Sequence, residues 1–165
     1  MRLVTLGAAL AFLALAPAHG ADAPRARKAP GWTLGGADGR RVSMSDFRGR
    51  VVLLSFWAPA YPPCIAEIPA NIELQRRYGP EGLAVVGVYV DTKSPAAVRA
   101  FMASHGINYA VVMADEKIKE DYGATDGYPT TFLIDRQGMI RFSKLGRRPP
   151  TFERDIAALL GAPAP

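Results

Sequence analysis

"SFWAPAYPPCIAEIP", Ser55 to Pro69, holds the only cysteine in the chain, Cys64. The run that leads into it, Val51 to Trp57, is continuous, apolar and rich in β-branched residues. That pattern predicts a strand buried on both faces. Pro62 and Pro63 suit the first positions of a helix, where a missing N–H costs nothing. Ile65, Ile68 and Ile72 then recur at helical spacing and Gly79 ends the run, while Pro69 falls inside and is expected to kink it. Cys64 therefore sits just inside the mouth of a helix, where the positive end of the helix dipole favours a thiolate, but two residues inside the turn, where the helix is expected to cover it in part. The tip of the turn belongs to Tyr61. Thiol–disulfide exchange needs an exposed thiolate to attack and a second thiol to resolve the mixed disulfide. Tyr61, a phenol without sulfur, does neither.

Outward from this stretch the elements alternate. "GWTLGGADGRRVSM" places Asp38-Gly39 between two short extended pieces, a hairpin signal, and "VSMSDFRGR" continues as a turn with one helical turn. Leu83 to Val90 reads as a second buried strand. Ser94 caps a helix from Pro95 to His105. "YAVVMA" gives a third strand, and Asp115 caps a short helix to Tyr122. "TTFLIDRQGMIRFSKLG" reads as a strand, a turn and a strand, and "PTFERDIAALLG" as a closing helix. The β–α–β order calls for parallel strands with right-handed crossovers, and the last hairpin adds an antiparallel edge. The fold class is α/β, three layers around a mixed β-sheet.

The 165 residues suggest one domain, and 49% hydrophobic content supports a sizeable core. Met1-Arg2, the apolar "LVTLGAALAFLALA" and the small-residue "PAHGADAP" form a leader pattern over residues 1–20, with cleavage after Ala18 or Gly20. The apolar run is shorter than the roughly 20 residues of a membrane span; an uncleaved anchor, and with it transient membrane association, is the alternative. No cysteine near the cleavage zone offers a site for lipid. Residues 21–30 read as a linker, 31–161 as the domain and 162–165 as a tail. Export to the periplasm, or to the cell envelope or exterior, implies an oxidising compartment. The formal charge of +5 becomes +4 once Arg2 leaves with the leader. Its basic residues are dispersed with no aromatic interleaving, which argues against nucleic acid. One histidine and one cysteine far apart after cleavage make no metal site.

Two further residues bear on the chemistry. Glu67 lies three residues after Cys64 on the same helix face. Its carboxylate opposes thiolate formation, relays a proton, or simply sits in the first turn where the dipole favours it. Pro129 directly precedes a strand, as proline at a first strand position can.

Taken together, "DFRGRVVLLSFWA", "PPCIAEIP", "LAVVGVYVD" and "YPTTFLIDRQGMI" resemble the thioredoxin superfamily, and within it the exported TlpA/ResA-like thiol–disulfide oxidoreductases of the redoxin group. The resemblance covers about residues 31 to 160. It implies a thioredoxin-like three-layer sandwich with an N-terminal β-hairpin, and it identifies Pro95–His105 as the helical insertion of that group. It matches Cys64 to the resolving cysteine, Glu67 to the active-site glutamate, Trp57 to the tryptophan closing the strand, and Pro129 to a cis-proline facing the thiols. No cofactor is implied. The departures cluster at the site: Tyr61 stands for the nucleophilic cysteine, Ala60 for a tryptophan and Pro59 for a small hydroxyl residue. Peroxiredoxin chemistry fits no better, since its pattern needs proline where Trp57 stands and Thr or Ser where Tyr61 stands.

Three functions follow as expectations. One is an exported relative of the oxidoreductases that has lost dithiol catalysis and binds peptides or proteins in a groove beside Pro129, lined by Tyr61, Trp57, Tyr128 and Thr130. Another is a monothiol redox protein forming mixed disulfides through Cys64, with Glu67 and Tyr61 beside it. In the third, Cys64 is a buried small hydrophobe. The partner is an exported protein or peptide, a thiol protein among the options.

Overall fold

The computed structural model describes residues 27–161. The leader, most of the expected linker and the tail lie outside the described residues. Eight strands and four α-helices follow in the order β1 (Arg27–Lys28), β2 (Thr33–Gly35), β3 (Arg41–Ser43), β4 (Val51–Trp57), α1 (Pro62–Tyr78), β5 (Leu83–Tyr89), α2 (Pro95–Ser104), β6 (Ala110–Met113), α3 (Glu116–Tyr122), β7 (Thr130–Ile134), β8 (Met139–Leu145) and α4 (Phe152–Leu160). A single 3-10 turn, Met44–Phe47, precedes β4 and is closed by a capping box between Ser43 and Asp46.

Six strands form one sheet in the order β1-β8-β7-β4-β5-β6, and β2-β3 pair separately as the expected hairpin. β4 runs parallel to β5, and β5 to β6, while β7 and β8 are antiparallel to their neighbours. β4 is central, and every residue of it is buried, as its unbroken apolar run demands. Alternate residues of β4 feed two cores. Val51, Leu53 and Trp57 face α1, α2 and α4, where Cys64, Val98 and Ile156 pack. Val52, Leu54 and Phe56 face α3 and the β2–β3 hairpin, meeting Ile118, Tyr122 and Leu34. The three layers follow from this period of two in a strand with no polar face.

One expectation is corrected. The domain starts before residue 31: Arg27 and Lys28 pair with Ile140 and Met139, Ala29 N–H donates to Gly138 C=O, and the Tyr122 hydroxyl donates to Pro30 C=O. Residues 27–30 thus belong to the fold, held by backbone bonds that their polar, proline-bearing composition conceals. This strand also covers the start of β8, so the C-terminal hairpin supplies the antiparallel side of the sheet without forming all of its edge. In α1, Pro69 lies inside the helix, as expected. The buried face runs through Cys64, Glu67, Ile68, Asn71, Leu74 and Tyr78, sharing Ile68 with the isoleucine stripe and leaving Ile65 and Ile72 half-buried at its margin. That face carries two polar side chains, which matters for the site.

Candidate functional site

The site lies where β4 ends and α1 begins. After Trp57 the chain turns through Ala58–Ala60, and Tyr61 becomes the N-cap of α1 in an extended conformation, with no side-chain cap. Pro62 and Pro63 contribute no N–H, and Cys64 N–H donates to Tyr61 C=O at 2.9 Å. A helix start attracts negative charge through its unsatisfied N–H groups, and here the first turn has none to offer below the sulfur. Cys64 is 2% exposed. Burial pushes its thiol above the ordinary value, a backbone hydrogen bond from Ala58 pulls it down, and the Glu67 charge pushes it up again. The expected help from the dipole is overridden: Cys64 is a buried neutral thiol.

Glu67 engages the loop between β8 and α4 through one carboxylate oxygen. Its Oε1 accepts the Arg148 backbone N–H at 3.1 Å and pairs with Arg148 Nε at 3.4 Å. Both side chains are more than nine-tenths buried. The Arg148 guanidinium also lies over the Phe152 ring, 5.0 Å from its centroid. Burial lowers Arg148 below its ordinary value while Glu67 opposes that shift through charge and hydrogen bonding. Tyr109, from the loop before β6, joins the same cluster. Burial pushes its hydroxyl up to about 12, with Asn71 and Arg148 pulling it down and Glu67 adding to the rise. Glu67 is therefore one half of a buried ion pair that ties the β8–α4 loop to α1.

Above this cluster the surface is aromatic. Tyr61 is 43% exposed, one of two large hydrophobic side chains so exposed among the described residues. Its ring meets that of Tyr128 edge-on at 5.4 Å between centroids. The Tyr128–Pro129 peptide bond is cis. Pro129 is buried, and its carbonyl accepts the Gly146 N–H at 2.8 Å. The main-chain N–H and C=O of Tyr128, by contrast, take no backbone partner among the described residues. An aromatic ledge with an unpaired peptide unit beside it can receive one more extended strand.

Not every expected groove residue lines this ledge. Trp57 is 4% exposed and packs inward on Tyr89 and Phe101 at 5.4 and 5.5 Å, because the last residue of β4 points into the α1/α2 layer. Thr130 is buried and spends its hydroxyl on Gly127 C=O at 2.7 Å. Both are corrected to supports. Tyr61 meets Tyr128 at the surface, with Pro129 next in the chain, while Cys64 and Glu67 are buried in the first turns of α1. Sequence reasoning missed Arg148, Asn71 and Tyr109. Asn71 was within reach, since it stands one turn after Glu67 on the face that also carries Cys64 and Ile68; nothing local marks Arg148.

The Redoxin family model matches residues 20–160. The chain is 35% identical over 122 residues to the thioredoxin-like protein YneN of Bacillus subtilis (strain 168), covering 73% of this chain and 71% of that protein. It is 34% identical over 113 residues to the thiol-disulfide oxidoreductase ResA of the same organism, covering 68% of this chain and 62% of ResA. A solved structure from Chlorobium tepidum TLS, a thiol:disulfide interchange protein of the thioredoxin family, matches with a TM-score of 0.74 and 30% identity, over 84% of this chain and 99% of that one.

Proposed function

This chain belongs to the Redoxin family, with a thioredoxin-like fold and thiol–disulfide oxidoreductase relatives, and on that premise we propose that it is an exported member without dithiol catalysis, which binds extended peptide segments on the Tyr61–Tyr128 ledge beside Pro129. One observation carries this reading: the position where attack would begin holds an exposed tyrosine, and the remaining thiol is buried beneath it. A dithiol cycle has no nucleophile here and nothing to resolve. Mixed-disulfide formation through Cys64 is disfavoured by its burial and by a thiol held above its ordinary value. The surface that remains is suited to recognition, as exposed tyrosines beside an open strand-like peptide unit are. Export rests on the leader pattern of residues 1–20.

Two measurements test this. In an insulin reduction assay with dithiothreitol, the protein should give no acceleration, whereas Tyr61→Cys, which recreates C-P-P-C, should gain reductase activity on an intact scaffold. On an array of unstructured peptides, Tyr61→Ala should weaken capture by about tenfold or more, the loss of one aromatic anchor, and Cys64→Ser should leave it unchanged. Acceleration by the unaltered protein, or capture that depends on Cys64 and not on Tyr61, would overturn the reading.

A further inference from the structure

The far pole of the sheet carries a second concavity. The start of β4 lies about 20 Å from the end that leads to Cys64, seven residues along an extended strand. There a cavity of about 870 Å³ opens between β1, the β2–β3 hairpin, the 3-10 turn, α3 and the β7–β8 turn. Trp32, Leu34, Phe47 and Ile118 supply its apolar lining, with the Trp32 and Phe47 rings 6.3 Å apart and tilted. No residue of the Tyr61–Tyr128 ledge or of the Glu67–Arg148 cluster reaches it. Its volume falls within the range of small-molecule sites, roughly 300–1,000 Å³.

The charges around it are unbalanced. Five cations and three carboxylates line the cavity. The carboxylates are all engaged: Asp115 caps α3 through Ile118 N–H, Asp121 pairs with Lys117, and Asp135 pairs with Arg141 and accepts two backbone N–H groups of its own turn. Three of the cations are engaged as well. Lys117 is in its ion pair, Arg50 binds the carbonyls of Gly79 and Leu83, and Arg136 binds those of Gly49 and Glu81. Lys28 and Arg48 remain, exposed and with no ion-pair partner among the described residues. Two free cations on the rim of an aromatic-floored cavity complement an anion with an apolar body.

We propose that this cavity binds a small amphipathic anion: an aromatic or aliphatic body resting on Trp32 and Phe47, and one carboxylate, sulfonate or phosphate group held by Lys28 and Arg48. The site is independent of the peptide ledge.

The test is a fluorescence titration of the full chain with 8-anilinonaphthalene-1-sulfonate. One saturable site is expected, weakened about tenfold by the double variant Lys28→Glu/Arg48→Glu, as reversal of two exposed charges allows, and weakened by added salt. N-phenyl-1-naphthylamine, the same body without the sulfonate, should bind about tenfold more weakly. Tyr61→Ala should leave the titration unchanged. In ¹⁵N correlation spectra of the unaltered protein, the Trp32 indole signal should move with added probe and the Trp57 signal should not. The proposal is overturned by the absence of a saturable site, by equal affinity for the neutral probe, by indifference to charge reversal in a folded double variant, or by a response at Trp57 in place of Trp32.

Discussion

At the scale of single residues, the site is governed by what each side chain must do with its polar atoms once buried. Cys64 escapes the cost by staying protonated, which its raised thiol value reflects. Its alkylation by iodoacetamide in the native protein should therefore stay far slower than in the denatured chain, and should rise only above pH 9, where even an ordinary thiol ionises. Mass spectrometry of the modified chain at intervals checks both points. Glu67 and Arg148 take the other route and pair. Breaking a buried pair by removing one partner costs about 3–5 kcal/mol, so Arg148→Met should lower the free energy of unfolding in denaturant by that order. Replacing both, as Glu67→Gln/Arg148→Met, should cost less than the two single changes together, since neither charge is then left alone.

At the scale of elements, α1 is the hinge between scaffold and surface. Its exposed tip presents Tyr61, its first buried turn carries Cys64 and Glu67, and its middle packs Ile68 into the core. The packing of β5 against the Trp57 side chain of β4 is tight at Gly87, where an added Cβ would lie 2.7 Å from Trp57 Nε1. Trp57 is held between Tyr89 and Phe101 and has no room to yield. Gly87→Ala should cost about 1–3 kcal/mol, measured as a lowered unfolding midpoint without loss of the fold. The elements themselves were legible from local pattern: the apolar run of β4, the prolines and isoleucines of α1, the Ser94 and Asp115 caps and the Asp38-Gly39 turn all read correctly. The two-residue β1 was not, because so short a strand is made by its partner β8 and leaves no periodicity of its own. The polar member Glu67 of the buried face of α1 was not legible for a related reason: its burial rests on Arg148 across the core.

At the scale of the whole molecule, stability in alkali should follow two buried tyrosines. Tyr109 and Tyr122 both hold their protons to about 12 in the fold, against an ordinary value of 10.0 once the chain is unfolded. Between those values the folded state binds more protons than the unfolded one. Their contribution is therefore complete below pH 10 and is lost as pH rises toward 12. Thermal unfolding midpoints recorded across that range should fall, and Tyr109→Phe should flatten the fall. By itself the sequence determined the α/β class, the succession of elements, and the position of Cys64, with Tyr61 three residues before it, at a strand-to-helix junction. All of these depend on residues adjacent in the chain, whose spacing and backbone preferences act locally. Only the tertiary structure decided how completely Cys64 is covered, that Glu67 is bound to Arg148, and that Trp57 faces the core while Tyr61 and Tyr128 meet at the surface. Arg148 stands 81 residues from Glu67. Burial and ion pairing at that separation arise from how the layers pack, and no local pattern encodes them.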